Sequence, residues 1–200
     1  MSQLSNEVLG ALILVVLVPC LYFAARAASV VLDAWGAYRL APLAPPIAGT
    51  IDRKSPCIRG IFRGNNVRVS FSTEESVGSG ESATSINAFY IQVTDLPGKH
   101  NWRIPFGATG TFGLGPKRVY IETQDGVLRE RLDRSGVLLA VEGVSARTAN
   151  YVTVDYDCRL KTLTYIDDVS PKWVPSPAAY AKQLDLVARL VEINKHVNPE

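Results

Sequence analysis

Residues 8–25 read VLGALILVVLVPCLYFAA, eighteen positions without a charge, and this stretch decides the architecture. At 1.5 Å per residue, a helix over it is about 27 Å long, close to the ~30 Å of a bilayer's hydrocarbon core. Pro19 would kink a helix in water but is tolerated in lipid when neighbouring groups re-satisfy the freed carbonyl. The helical pattern continues past Arg26. Val30, Val31, Ala34, Trp35 and Tyr38 recur at helical spacing, with Arg26, Ser29 and Asp33 off that stripe. The expectation is a short outer N-terminus (residues 1–7), then a transmembrane helix with an amphipathic extension (residues 8–38). Tyr22, Arg26, Trp35 and Tyr38 belong at the membrane interface, where aromatic rings and basic side chains anchor a span. Ala24 and Ala28, four apart, permit close contact with another helix. The rival reading is a signal peptide, because Ala25-Arg26-Ala27 resembles a small-residue cleavage site. Such a peptide carries a basic leading segment, and residues 1–7 contain no Lys or Arg.

No basic residue precedes the apolar run, whereas Arg26, Arg39, Arg53, Lys54 and Arg59 follow it. The positive-inside bias then places the N-terminus outside and the rest of the chain in the cytoplasm, in a bacterial inner membrane. Over the whole chain, 21 Lys and Arg nearly balance 19 Asp and Glu, so no basic footprint for nucleic acid is expected. Locally, Arg53, Lys54, Arg59, Arg63 and Arg68 are opposed only by Asp52. They form a basic juxtamembrane cluster suited to anionic lipid, with solvated strand positions as the plainer alternative. Three cysteines are too few for a disulfide framework or a zinc site. Cys57 and Cys158 would pair only in an oxidising compartment.

Residues 39–57 include LAPLAPPIAGTIDRKSP and read as a Pro-rich linker, an extended spacer of ~3 Å per residue. From Ile58 the period switches to two, opening a β-rich domain over residues 58–200. Residues 58–62 and 67–71 flank the turn cluster Arg63-Gly64-Asn65-Asn66 as a hairpin. Residues 89–93 are expected to return as 102–106 across a turn at 96–99. Residues 119–121 and 137–141 read as further strands, and residues 125–132 as a short helix. Residues 151–156 and 160–166 form the last hairpin. Residues 74–85 and 107–116 read as loops.

A final helix over residues 177–197 starts with Ser176 as N-cap and Pro177 at the first helical position, with Lys195 and His196 near its negative end. One stripe of it holds Tyr180, Leu184, Val187 and Val191; a second holds Leu186, Leu190, Ile193 and Val197. Such a wide apolar arc suits a helix sunk between the sheet and neighbouring loops, or a second stripe free to dock on a partner helix. The class is α+β: a transmembrane helix, then a mostly antiparallel curved sheet or partly open barrel closed by a C-terminal helix. In its order of elements the domain resembles pleckstrin-homology-like barrels, a likeness of fold and not of function. Through residues 58–64 (IRGIFRG) and the hairpin of residues 151–166, about two-thirds of the chain resembles uncharacterised bacterial single-span membrane proteins with a C-terminal β domain. That resemblance implies no catalytic residues.

No reactive constellation emerges. GTFGLGPK (110–117) lacks the Gly-Lys-Ser/Thr and the following helix of a phosphate loop. Gly78-Ser79-Gly80 lacks the third glycine and the flanking elements of a dinucleotide fingerprint, and the spacing of a nucleophile elbow. His100 and His196, the only histidines, sit in a turn and near the chain end, neither in a setting for a nucleophile pair. Asp155, Asp157, Asp167 and Asp168 read as a solvated acidic edge and not a cation loop. Trp102, Trp173 and the tyrosines read as packing groups. The reading is a non-enzymatic accessory or scaffold subunit without a cofactor or metal. Its partners are membrane lipid and other membrane-protein subunits, of the kind respiratory and photosynthetic complexes collect, and not nucleic acid. The alternatives are a tethered reader of anionic lipid or ligand, and an enzyme whose site carries no recognisable motif.

Overall fold

The computed structural model describes residues 2–75, 85–108, 117–145, 151–168 and 174–199. Helix α1 (Ser2–Leu40) is one rod of 39 residues with Pro19 inside it, about 58 Å long. It is long and apolar enough to cross a membrane, and none of its apolar window is buried against the rest of the chain. The anticipated span and its extension are therefore a single helix with no break at Arg26.

The Pro-rich segment is not an extended spacer. It folds into two 3₁₀ turns, Ala41–Leu43 and Pro45–Ile47. Proline suits the first positions of such turns, where its fixed φ is already right and its missing N–H is not needed. Leu40, Leu43 and Ile47, spaced by three and four, consequently share one side and are buried completely or nearly so. The domain thus begins at Leu40 and not at residue 58. Ala48, in the left-handed region at φ 47°, turns the chain into strand β1 (Thr50–Asp52), which the sequence reading placed in the linker.

The remaining strands are β2 (Cys57–Phe62), β3 (Asn65–Glu75), β4 (Ser85–Val93), β5 (Trp102–Ala108), β6 (Lys117–Val119), β7 (Tyr151–Asp157) and β8 (Thr162–Asp168). They form one open sheet in the order β1-β2-β3-β4-β8-β7-β5-β6, with every neighbour antiparallel. Two of the three expected hairpins form, β2–β3 and β7–β8. In the β2–β3 hairpin Arg63 and Gly64 lie at φ 48° and 78°, the doubly left-handed two-residue turn whose twist matches that of the strands. Gly60 is required for closeness: a methyl group there would collide with the Ile47 carbonyl oxygen.

The strand expected over residues 119–121 lies instead at Lys117–Val119, and two further expectations fail. Residues 102–106 form a strand, but it does not return against 89–93; β5 pairs with β7 and β6 instead. The connection crosses the end of the sheet, where the Leu96 N–H donates to the Lys161 carbonyl at 2.9 Å and Tyr156 Oη donates to the Leu96 carbonyl at 3.0 Å. The β7–β8 hairpin thereby inserts between β4 and β5. Residues 137–141, read as a strand, open helix α3 (Val137–Ser145). Gly136 at φ 72° ends α2 (Gly126–Arg134), its carbonyl accepts from Ala140 N–H, and Leu-Leu-Ala favours helix. The expected short helix over 125–132 is α2, capped by Asp125. Most of the two expected loops, with Trp173, the 78–80 glycines and the 110–116 part of the glycine-rich run, lies outside the described residues.

The inner face of the sheet is built by parity. One cross-strand row runs Ile51, Ile58, Val69, Ile91, Tyr165, Val154, Ile104, and all but Ile51 are fully buried. Helix α4 (Pro177–Val197) lies over this face, with Tyr180 edge-on to Phe89 at 6.0 Å between ring centroids. Trp102 stacks on Tyr156 at 6.1 Å, and its indole N–H donates to Asn194 Oδ1 at 2.8 Å. The far side of α4 meets α2 and α3.

Candidate functional site

The residues singled out in the sequence divide among three places. The first is the junction of α1 with the domain. Tyr22, Arg26 and Tyr38 are exposed, as are Ala24 and Ala28. Trp35 is different: Phe71 meets it edge-on at 6.2 Å, and the Arg39 guanidinium lies 5.1 Å above its ring. Gly36 packs on Pro56. The helix therefore seats directly on the sheet without a hinge, through a glycine that lets a proline ring close in.

The second is the basic cluster, which the fold divides. Arg53 and Lys54 are exposed in the β1–β2 turn, where the Lys54 N–H donates to Asp52 Oδ1 at 2.9 Å. Arg63 is at the opposite end of β2, about 20 Å away at 3.4 Å per residue, and pairs with Asp185 at 2.6 Å. Between them Arg59 and Arg68 stand directly opposite each other on β2 and β3, both exposed. Like charges in that arrangement repel. The same cross-strand row continues through Gln92 and Thr164 to Asp155 and Arg103, so at its other end an anion and a cation stand side by side.

At that end lies the third place, an open groove of about 1000 Å³ between β5, the turn before α2 and the β7–β8 hairpin, lined by charges of both signs. His100 Nε2 is 3.2 Å from Asp125 Oδ2. The other oxygen of Asp125 caps α2 by accepting from the Leu128 N–H at 2.8 Å, and that bond is the main reason its carboxyl titrates below the usual range. Asp155 titrates high because it is partly desolvated, although Arg103 opposes the shift. Tyr120 is also pushed up, by its hydrogen bond to Glu122. The Cys158 N–H donates to Asn101 Oδ1 at 2.7 Å, which fixes the hairpin against β5. Several of these polar groups thus hold the corner together. Among the described residues no group of His, Cys, Asp and Glu is arranged to hold a metal ion.

Of the four aspartates expected on a solvated edge, Asp167 is buried. Asp157 shapes the hairpin turn, its Oδ1 accepting from the Arg159 and Leu160 N–H groups. Asp167 faces inward and is 1% exposed. Gln183 Nε2 of α4 donates to its Oδ2 at 2.5 Å, and Tyr165 Oη approaches the same oxygen at 3.5 Å. Among the described residues, the other carboxylate oxygen, Gln183 Oε1 and the Tyr180 hydroxyl have no hydrogen-bond partner. Burial, aided by the neighbouring Asp168, raises the Asp167 pKa to about 7. The sequence held the signal: Asp167 has the same parity as Leu163 and Tyr165.

The partner-helix candidates on α4 are not a free surface. Leu186, Leu190 and Val197 are buried in the chain's own core, and Ile193 packs against it half-buried. Arg131 of α2 donates to the Val197 carbonyl at 3.4 Å, closing α4 from that side. Comparison with protein-family models, with curated proteins and with solved structures finds no match to this chain.

Proposed function

We propose that this chain is a single-span membrane protein whose domain acts as a non-enzymatic accessory or scaffold subunit of a larger membrane assembly. One observation carries the reading: the apolar window of α1 is not buried against the chain itself, and the helix ends in the core at Leu40, which Leu43 and Ile47 of the following turns join. A domain seated this closely on its anchor is held in one orientation beside whatever the anchor binds. The dispersed ionisable groups of the groove, several engaged in capping and turns, favour a binding role over catalysis. Within this reading the positive-inside bias gives a cytoplasmic domain in a bacterial inner membrane. The likeness to pleckstrin-homology-like barrels is kept as a comparison of sheet and closing helix. The test is co-purification of the tagged full-length protein in mild detergent. Recovery with other membrane proteins in fixed ratio is expected. Recovery alone at monomer mass, or in the soluble fraction, overturns the proposal.

A second reading has its own support. Arg59 and Arg68 face each other across two strands, and among the described residues neither meets a carboxylate. A phosphate or anionic headgroup placed between them would relieve their repulsion. Flotation of the full-length protein with anionic vesicles lacking and containing the Arg59→Gln, Arg68→Gln pair separates the readings. This one requires a strongly salt-dependent contribution that the double variant lacks.

A further inference from the structure

Side-chain amides hold α4 to the rest of the chain at both ends, and the two attachments differ in chemistry. Toward the C-terminus they are neutral. Asn194 Oδ1 accepts from the Trp102 indole at 2.8 Å, and its amide donates to the Pro97 carbonyl at 2.9 Å. Just past the helix end, Asn198 Oδ1 accepts from the Lys99 and His100 N–H groups at 3.1 Å. Toward the N-terminus the attachment is Gln183 on Asp167, the one fully buried carboxyl among the described residues. Gln183 Nε2 donates to Asp167 Oδ2. That leaves one oxygen on each group, Asp167 Oδ1 and Gln183 Oε1, both buried and, among the described residues, both without a donor.

Two acceptors left over on a carboxyl and an amide already joined once are the pair that a single proton satisfies. A carboxylic acid both donates and accepts, as an amide does, whereas a carboxylate only accepts. Ionised, Asp167 would leave both oxygens unmet in an interior where unmet polar atoms are rare. No cation among the described residues stands in for the proton. On β8 the neighbours are the Tyr165 hydroxyl, 3.5 Å from Oδ2, and Asp168, whose negative charge adds to the burial. Directly opposite on β4 and β7 are Phe89 and Val152. On α4, Tyr180 lies one turn before Gln183 and against Phe89, while Lys182 and Asp185 are exposed. We infer that Asp167 and Gln183 form a proton-dependent latch. The acid donates from Oδ1 to Gln183 Oε1 while Oδ2 accepts from Nε2; loss of the proton to solvent frees the N-terminal half of α4, and the C-terminal half stays fixed by its asparagines. Opening uncovers Phe89, on which Tyr180 packs. The closed form binds the proton more tightly than the open one, so opening is rarest in acid and grows as pH rises, levelling off near the closed-form pKa. The latch is independent of the accessory-subunit reading.

The experiment is hydrogen exchange of the full-length protein in mild detergent at pH 5.5 and 8, resolved into peptides by mass spectrometry and divided by the intrinsic rate at each pH. The Asp167 pKa is about 7 in the closed form and near ~3.9 in the open one. The opening constant of residues 180–187 should therefore rise about 30-fold between the two pH values. Residues 190–197 and the β2–β3 hairpin should stay level. In Asp167→Asn, whose amide offers a donor at every pH, residues 180–187 should stay closed at both. Infrared spectra of the parent protein, which need no variant, should lose a protonated-carboxyl carbonyl band over the same interval. No rise in residues 180–187, an equal rise in residues 190–197 or in the hairpin, the same rise in Asp167→Asn, or no such band overturns the latch.

Discussion

Replacing Asp167 by asparagine tests the description of α4 on the sheet. In the folded chain the carboxyl has a pKa of about 7, against an ordinary aspartate value near ~3.9 when unfolded. A raised folded pKa means that the stability contribution is fully present below the unfolded value. It is lost progressively as pH climbs from about 4 to about 7, after which it is flat. Three pK units at ~1.4 kcal/mol each set an upper figure of about 4 kcal/mol for the cost of the ionised carboxylate at pH 8. Asparagine keeps an oxygen to accept from Gln183 Nε2, and its amide brings donors to a cluster where, among the described residues, Gln183 Oε1 and the Tyr180 hydroxyl lack partners. The variant should therefore exceed the parent protein by about 2–4 kcal/mol at pH 8, and by about 1.5 kcal/mol at pH 5. For a domain of this size that is on the order of 5–15 °C in Tm at the higher pH. The assay is thermal unfolding of both proteins in the same mild detergent, followed by near-ultraviolet circular dichroism between pH 5 and 8. A variant less stable than its parent at pH 8, or a difference that does not widen with pH, would refute a buried, protonated Asp167.

Asn194→Ala strips the acceptor from the Trp102 indole and the donor from the Pro97 carbonyl; a loss of about 2–4 kcal/mol is expected in urea titration. Gly64→Val forces a β-branched residue to φ 78° and should cost about 1–2 kcal/mol, read the same way. By contrast, Arg63→Ala removes an ion pair whose side chains are both some three-fifths exposed, so a double-mutant cycle with Asp185→Ala should return under about 1 kcal/mol. Arg59→Glu converts a like-charge cross-strand pair with Arg68 into an opposite one. It should raise stability by about 0.2–1 kcal/mol while abolishing any salt-dependent vesicle binding.

What could be read from sequence follows from the range of each signal. Residues 8–25 declared a long apolar helix because the absence of charge is a property of the segment alone. The hairpins around Arg63-Gly64 and residues 157–161 were legible because a turn and its two flanks lie within twenty residues. The pairing of β4 with β8 was not, since parity tells which face a residue occupies and not which strand lies beside it. That choice is made by contacts such as Leu96 with Lys161, far apart in the chain. Residues 137–141 are a five-residue apolar run, too short for periodicity to separate strand from helix; Ser135-Gly136, a helix stop, is the local cue that a new helix starts there. The prolines of residues 39–57 suggested extension, but the three-and-four spacing of Leu40, Leu43 and Ile47 marked a core face. The groove has no motif, being assembled from residues near 100, 122 and 157. Asp167 was readable by parity, and its burial shows that an acidic cluster in sequence can be split between the two sides of a sheet.

The hingeless junction at Gly36, Pro56 and Leu40 has a mechanical consequence. A rod pinned into a folded core transmits rotation, as a tiller does. Spans in bilayers tilt to match local thickness, and a domain of about 160 residues measures roughly 40 Å across. If α1 crosses a bilayer as proposed, a change of ~10° in its tilt sweeps the far rim of the sheet through about 7 Å. Membrane thickness and the position of the Arg63–Asp185 corner would be coupled with no signal beyond the stiffness of one helix.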